Sequence, residues 1–275
     1  MTWVPLHVHS QYSILASSAS IESLSSKAAE FHMPALALTD QGNLYGAVEF
    51  FKACKAAKIR PIIGCELYVA PQSRFDKKRI HGVTAGSPIV LLAKNQKGFQ
   101  NLCRLSSLAH LEGFYYTPRI DKTLLAECAE GLICLSGPHH SPFSRLILDK
   151  KEEFIQEVQF YQGIFGSDFY FELLRHQMKE EDILADGMEK ELWLYQRYLD
   201  LITAQETINS KLQEVSQKLG ISCVACNDSR YIDREDWRAH EILMNIQSGE
   251  PCEIWEKDSF GNPKQRVLNP KREVM

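Results

Sequence analysis

The chain has 275 residues, 44% hydrophobic and 24% charged, an ordinary globular balance with enough apolar material for a full core. Its formal net charge of −4 gives no overall attraction to a polyanion, so any nucleic-acid contact has to be local. No apolar run reaches the length of about eighteen residues that a membrane span needs, and the first residues lack the pattern of a secretory leader, so the expected location is the cytoplasm.

Short apolar runs alternate with helical stretches along the chain. The predicted strands are residues 4–9, 35–39, 61–69, 89–93, 131–136, 169–174 and 221–226. The predicted helices are 21–31, 45–58, 97–110, 141–148, 151–165, 188–219 (in two pieces) and 235–248. Strand–helix alternation of this kind predicts parallel strands joined by crossovers, and seven such units suggest an α/β barrel, with an open sheet as the alternative.

In the first strand, His7-Val8-His9 puts two imidazoles on one face, because side chains alternate along an extended backbone. That pair is suited to holding one metal ion. Barrel geometry concentrates functional groups at the C-terminal ends of strands. Read in order, those ends supply His7 and His9, Asp40, Glu66, His139 and His140, His176, and Asn227 with Asp228. Polar, metal-capable residues therefore recur at one rim.

Residues 72–87 form a polar loop with Arg74, Lys77, Lys78 and Arg79, read as a solvated excursion or as a contact to a phosphate backbone or partner. The eight cysteines lie mostly in apolar runs, as reduced thiols do. Cys223 and Cys226 form a single CxxC within a strand-like run, which reads as structural. From residue 249 onward the periodicity fades among Pro251, Gly261, Pro263 and Pro270. Residues 1–250 are therefore expected to form one domain, and 251–275 a linker or the start of a connection to a further part.

Several stretches together are similar to the PHP (polymerase and histidinol phosphatase) domain, in the form found at the front of bacterial replicative DNA polymerases. They are 7–13 (HVHSQYS), 33–40 (MPALALTD) with 42–50 (GNLYGAVEF), 61–69 (PIIGCELYV), 91–95 with 98–102, 118–121 (PRID), 132–137 (LICLSG), and 225–228 (ACND) with Ala239-His240. The resemblance runs over nearly the whole length and implies a distorted, TIM-like (β/α)7 barrel. It also implies that the palm, thumb and fingers of a polymerase, with the carboxylates of nucleotidyl transfer, follow in a longer chain.

Active members of that family hold three metals with nine ligands. Carried over, the first site corresponds to His7, His9, Glu66 and Asp228, all present. The second shares the glutamate and otherwise falls on Pro88 and Pro138; the third falls on Ala16, Gln41 and Arg230. Five positions thus lack the family's ligand, and Arg230 puts a fixed cation where an ion would sit, where it is expected to pair with Asp228 or Asp40. The polar rim of Asp40, His139, His140 and His176 remains, and His139 or His140 is a possible stand-in for the ligand lost at Pro138.

The resemblance implies no cofactor beyond, at most, one Zn²⁺ or Mn²⁺ ion at low occupancy. The domain would be catalytically silent in DNA replication. It would support the palm and dock a separate 3′→5′ proofreading exonuclease (epsilon-type) subunit, meeting DNA and other replicase subunits through the parent polymerase, with no membrane partner. The alternative is a metal-dependent phosphoesterase with a reduced site: a 3′→5′ exonuclease, a pyrophosphatase, or a free-standing enzyme of the histidinol-phosphatase type.

Overall fold

The structure is a computed structural model that describes residues 3–78, 85–185 and 190–272. Its centre is a curled, mixed seven-stranded sheet. The strands are β1 (Ala35–Leu38), β2 (Arg60–Val69), β3 (Ser87–Ala93), β4 (Arg119–Ile120), β5 (Leu132–Leu135), β6 (Phe169–Leu174) and β7 (Cys223–Cys226). They pair in the order β1-β2-β3-β5-β6-β7, with β4 added on β2. The architecture is a distorted TIM-like barrel.

The expectation of parallel strands throughout is corrected at one place: β3 runs antiparallel to both β2 and β5. The reason is the connection. No helix lies between β2 and β3 among the described residues, so the chain has no crossover to carry it back before it re-enters the sheet. The remaining pairs, β1·β2, β2·β4, β5·β6 and β6·β7, are parallel and separated by helices.

Residues 4–9 do not form a regular strand, a second correction. They cross between the two edges of the sheet. Ala37 and Thr39 donate N–H bonds to Pro5 O and Val8 O at 3.0 and 2.8 Å; on the other side, His9 N donates to Ser229 O at 2.8 Å and Ser229 N to His7 O at 3.1 Å. The ladder is broken because Pro5 lacks an N–H and because the Thr39 hydroxyl, not its backbone, receives the N–H of Val8 at 2.8 Å. Alternation survives: Val8 is buried among Ile21, Leu24, Leu36 and Leu38, whereas His7 and His9 face inward.

The helices are α1 (Ile21–Glu30), α2 (Ala47–Ala56), α3 (Gln96–Leu111), α4 (Lys122–Glu127), α5 (Pro142–Leu148), α6 (Phe154–Phe165), α7 (Glu180–Ala185), α8 (Leu192–Leu219) and α9 (Trp237–Ser248). Side-chain caps start several of them: Ser20, Asn95, Asp121 and Ser141 each accept an N–H from the first turn. The helix expected in two pieces over 188–219 is one continuous helix from Leu192, and α7 precedes it; α4 and β4 have too few residues to leave a periodic signal. The tail expected as a linker contains an antiparallel hairpin, β8 (Glu253–Lys257) and β9 (Pro263–Leu268), turned by an Asp258 carboxylate that accepts the N–H groups of Phe260 and Asn262. All eight cysteines are free thiols, the CxxC pair of β7 included.

β2 shows how the layers divide. Cys65, Leu67 and Val69 point out to the main core under α3, α4 and α6, while Ile62 and Glu66 point into the barrel. The barrel interior is plugged by Ala37, Val90, Leu92, Leu135, Leu174 and Cys226, which leaves the polar cluster on top of an apolar floor. Gly64 allows this packing: a Cβ there would lie 2.6 Å from the Leu91 carbonyl oxygen and 2.9 Å from Thr39 Cγ2. The carbonyl cannot swing aside without breaking the β2–β3 ladder. Gly64→Ala is therefore expected to destabilise the domain by about 2 kcal/mol in urea unfolding, within the usual range for overpacking.

Candidate metal centre

Three elements bring the first group of residues together. His7 and His9 come from the segment that joins the sheet edges, Glu66 from β2, and Asp228 from the turn just after β7. The nitrogens His7 Nε2 and His9 Nε2 lie 3.2 Å apart. Glu66 Oε2 is 3.1 Å from His7 Nε2 and 3.8 Å from His9 Nε2; Asp228 Oδ1 is 3.7 and 3.0 Å from the same atoms. His7, His9, Glu66 and Asp228 are all buried. Asp228 has a left-handed backbone, φ +47°, a conformation Asp tolerates better than most residues and one that turns its carboxylate inward.

The outer nitrogens of both rings are tied. His7 Nδ1 donates to Glu172 Oε1 at 2.7 Å. His9 Nδ1 lies 3.1 Å from Ser13 Oγ, whose own hydrogen goes to Asp40 Oδ1 at 2.7 Å, so His9 donates from Nδ1. This network leaves the lone pair of His9 Nε2 facing the Asp228 Oδ1 acceptor at 3.0 Å. Two acceptors this close mark a place that suits a cation, and Asp228 Oδ1 already has one beside it, the Arg230 Nε at 3.0 Å. A tetrahedral Zn²⁺ with its usual bond lengths spaces its ligands about 3.3 Å apart. His7, His9 and Asp228 therefore fit one ion, with Glu66 beside His7 and with Glu172 and Ser13 orienting the rings as outer partners commonly do.

The electrostatics agree with a cluster built around positive charge. Burial favours a neutral His7, but the Glu172 and Asp228 carboxylates outweigh it and hold its pKa well above the ordinary value. Burial and the Arg230 charge push His9 down. Burial opposes ionisation of Glu66 and Asp228, yet the histidines overcome it, bringing Glu66 to about 2 and Asp228 well below the usual carboxylate range.

Arg230 occupies the other side of Asp228. Its Nε is 3.0 Å from Oδ1 and its terminal nitrogen donates to Oδ2 at 3.2 Å, while a second terminal nitrogen points to the Ala16 carbonyl at 3.4 Å. Two positions that resemblance assigned to one lost metal site thus touch each other. Gln41 donates its N–H to Ser13 Oγ. Pro88 is the second residue of β3, opposite Tyr68, and the Pro138 carbonyl accepts from Ser141 and Ser144 at the start of α5.

The remaining rim residues flank this cluster, Asp40 through Ser13 and His139 and His140 within reach of the Asp228 charge. Asp40 is used by the turn after His9, accepting from the Ser10 N–H, the Ser10 hydroxyl and the Ser13 hydroxyl. His176 Nε2 donates to Asn227 O at 2.6 Å, and its ring packs edge-on against His139 at 5.8 Å. His140 is exposed. In the loop after β2, Arg74 is bound by Glu112 and Asp121, Lys77 and Lys78 are exposed, and Arg79 lies outside the described residues. Sequence reading missed Glu172. Its signal was a lone acid in the apolar run FYFELL, on the same parity as Leu174, which faces the barrel.

Glu172→Gln removes a buried charge beside a protonated ring. It is expected to cost about 3 kcal/mol in urea unfolding of metal-free protein, the scale for breaking a buried ion pair. His139 and His240 supply a pH dependence, since burial lowers each to about 4. Between the ordinary histidine pKa and that value, the unfolded chain takes up protons that the folded rings refuse, so their contribution falls as pH drops from about 6.5 and levels off below about 4. His139→Gln is expected to make stability measured between pH 7 and pH 4 less steep.

Comparison with known proteins supplies the family. The model of the PHP domain matches residues 5–176. DNA polymerase III subunit alpha of Chlamydia pneumoniae is 51% identical over 268 residues, covering 97% of this chain and 21% of that protein. The same subunit of Borreliella burgdorferi is 41% identical over 248 residues, covering 90% of this chain and 20% of the relative. The chain thus spans about a fifth of the length of the curated relatives it matches. A solved two-domain protein from Bacteroides vulgatus, described as containing a predicted PHP-like metal-dependent phosphoesterase, shares the fold: TM-score 0.50, 10% identity, 98% of this chain and 59% of that one. With its barrel, its inward histidine pair and a family match over residues 5–176, the chain belongs to the PHP domain family.

Proposed function

We propose that this chain is the N-terminal PHP module of a bacterial DNA polymerase III alpha subunit, and that it acts in replication as a supporting and docking module and not as a nuclease. Residues 1–250 form the module and 251–275 lead toward the palm. The module supports the palm and thumb of the DNA-directed DNA polymerase, a nucleotidyltransferase, and holds a separate 3′→5′ exonuclease (epsilon-type) subunit. The similarity to DNA polymerase III alpha subunits supports the setting.

The observation that carries the non-catalytic reading is Arg230. Its guanidinium lies on the Asp228 carboxylate and reaches the Ala16 carbonyl, so a permanent cation takes up space and charge that a neighbouring metal would need. Phosphodiester hydrolysis by metal clusters depends on two ions that clamp the attacking and leaving oxygens. Ala16, Pro88 and Pro138 offer no side-chain donor for a second ion.

One observation favours a second reading, a one-metal phosphoesterase acting as a 3′→5′ exonuclease or pyrophosphatase: the facing acceptors His9 Nε2 and Asp228 Oδ1. A bound ion there would supply Lewis-acid polarisation and a water of lowered pKa. His7 and His9 bind it, Glu172 and Ser13 fix their rings, and Arg230 competes for Asp228.

The two readings separate in one assay. Incubated with single-stranded DNA, a generic phosphodiester or pyrophosphate, plus Mn²⁺ or Zn²⁺, the chain is expected to show no turnover above the blank. Hydrolysis that disappears in His9→Ala establishes the phosphoesterase instead. In a pull-down with the exonuclease subunit of the same organism, capture at micromolar concentration is expected; its absence removes the docking role.

A further inference from the structure

The outer face of α2 has an arrangement that neither the metal centre nor the core uses. Its inner face buries Ala47, Phe50 and Cys54. Opposite them, Val48, Phe51, Lys52 and Lys55 follow the i, i+3, i+4, i+7 spacing that places side chains in one stripe. Val48 is 66% exposed and Phe51 49%, and Tyr45, just ahead of the helix, is 67% exposed. Lys58 and Arg60 continue the positive charge past the end of the helix. Lys52, Lys55, Lys58 and Arg60 are all exposed and form no ion pair among the described residues.

The charge is undiluted. Residues 50–65 contain these four cations and no Asp or Glu. The flanking Glu49 is engaged by the Tyr12 hydroxyl at 2.8 Å. On α1, which packs beside α2, Lys27 is neutralised by Asp233 and Glu30. Lys55 lies 5.5 Å from the centre of the Phe51 ring, so cation and aromatic face share one surface.

We propose that this face binds a single strand of DNA. Lys52, Lys55, Lys58 and Arg60 meet successive phosphates, and Phe51 and Tyr45 offer rings on which bases stack. A line of unpaired cations is complementary to a polyanion, and aromatic rings interleaved with it read unpaired bases, since bases in a duplex keep their faces covered. The choice of DNA rests on the replicative-polymerase reading above.

The test is fluorescence anisotropy of the chain with a labelled oligo-dT strand, over a series of salt concentrations. Binding is expected to weaken as salt rises. Lys52→Gln with Lys55→Gln is expected to weaken it further and to reduce the log–log salt slope by about 1.4, some 0.7 for each phosphate that is no longer neutralised. Phe51→Ala is expected to cost about tenfold in affinity with the slope unchanged, because stacking releases no counterions. All three side chains are exposed, so the variants keep the wild-type melting temperature.

Affinity for the strand that is unaltered in these variants overturns the proposal. So does equal affinity for a duplex of the same length, or equally strong competition by poly-glutamate, which assigns the face to a protein partner. Absence of oligonucleotide binding alongside capture of the exonuclease subunit overturns this inference alone and leaves the module's proposed role standing.

Discussion

Two imidazoles face each other across 3.2 Å in the interior of this protein, and the rest of the structure is organised to make that tolerable. Buried rings this close need carboxylates to set their protonation and orientation. Glu172 arrives from β6, Glu66 from β2 and Asp228 from the turn after β7, each delivered by a different part of the sheet. The sheet must therefore curl far enough for its two edges to approach. The segment carrying the histidines is itself the bridge between those edges, so fold and site depend on the same few hydrogen bonds.

The cluster is also balanced. Glu66, Asp228 and Glu172 surround His7 and His9, and Arg230 adds a cation that no pH in the physiological range removes. An arginine suits this place because its planar fork can satisfy both oxygens of Asp228 while its far nitrogen turns to the Ala16 carbonyl. The arrangement keeps the buried charge compensated whether or not His7 and His9 share an ion.

Much of this was legible in the sequence, and the reasons it was or was not are specific. His7 and His9 announce themselves because period-two spacing fixes a common face whatever the ladder does. Glu66 lies within a strand-like run and Asp228 just after one, and both fall at the rim. Glu172 escaped notice because a single acid inside FYFELL has no partner in sequence; its partner is 165 residues away. The direction of β3 was hidden because an apolar run has no polarity of its own, and only the lack of a helix before it marks the reversal. The hairpin at 253–268 was masked by Pro and Gly, although Asp258 and Gly261, with φ +86°, are the residues such a turn needs.

The reversal of β3 has a consequence for the mouth of the barrel. A parallel strand brings its last residue to the functional rim, and its preceding connection passes beneath. β3 instead brings its first residues there: Ser87 and Pro88 pair with Val69 and Tyr68, the end of β2 that carries Glu66. The described ends of the connection between the two strands, residues 70–78 and 85–86, therefore lie at the rim end of β2 and not on the underside. Arg119 fastens these described parts, donating to the carbonyls of Arg74, Asp76 and Ala85, and ties them to Gly113 after α3. Such a connection can change in length or composition without re-registering a strand, because β2 and β3 are held by their own ladder.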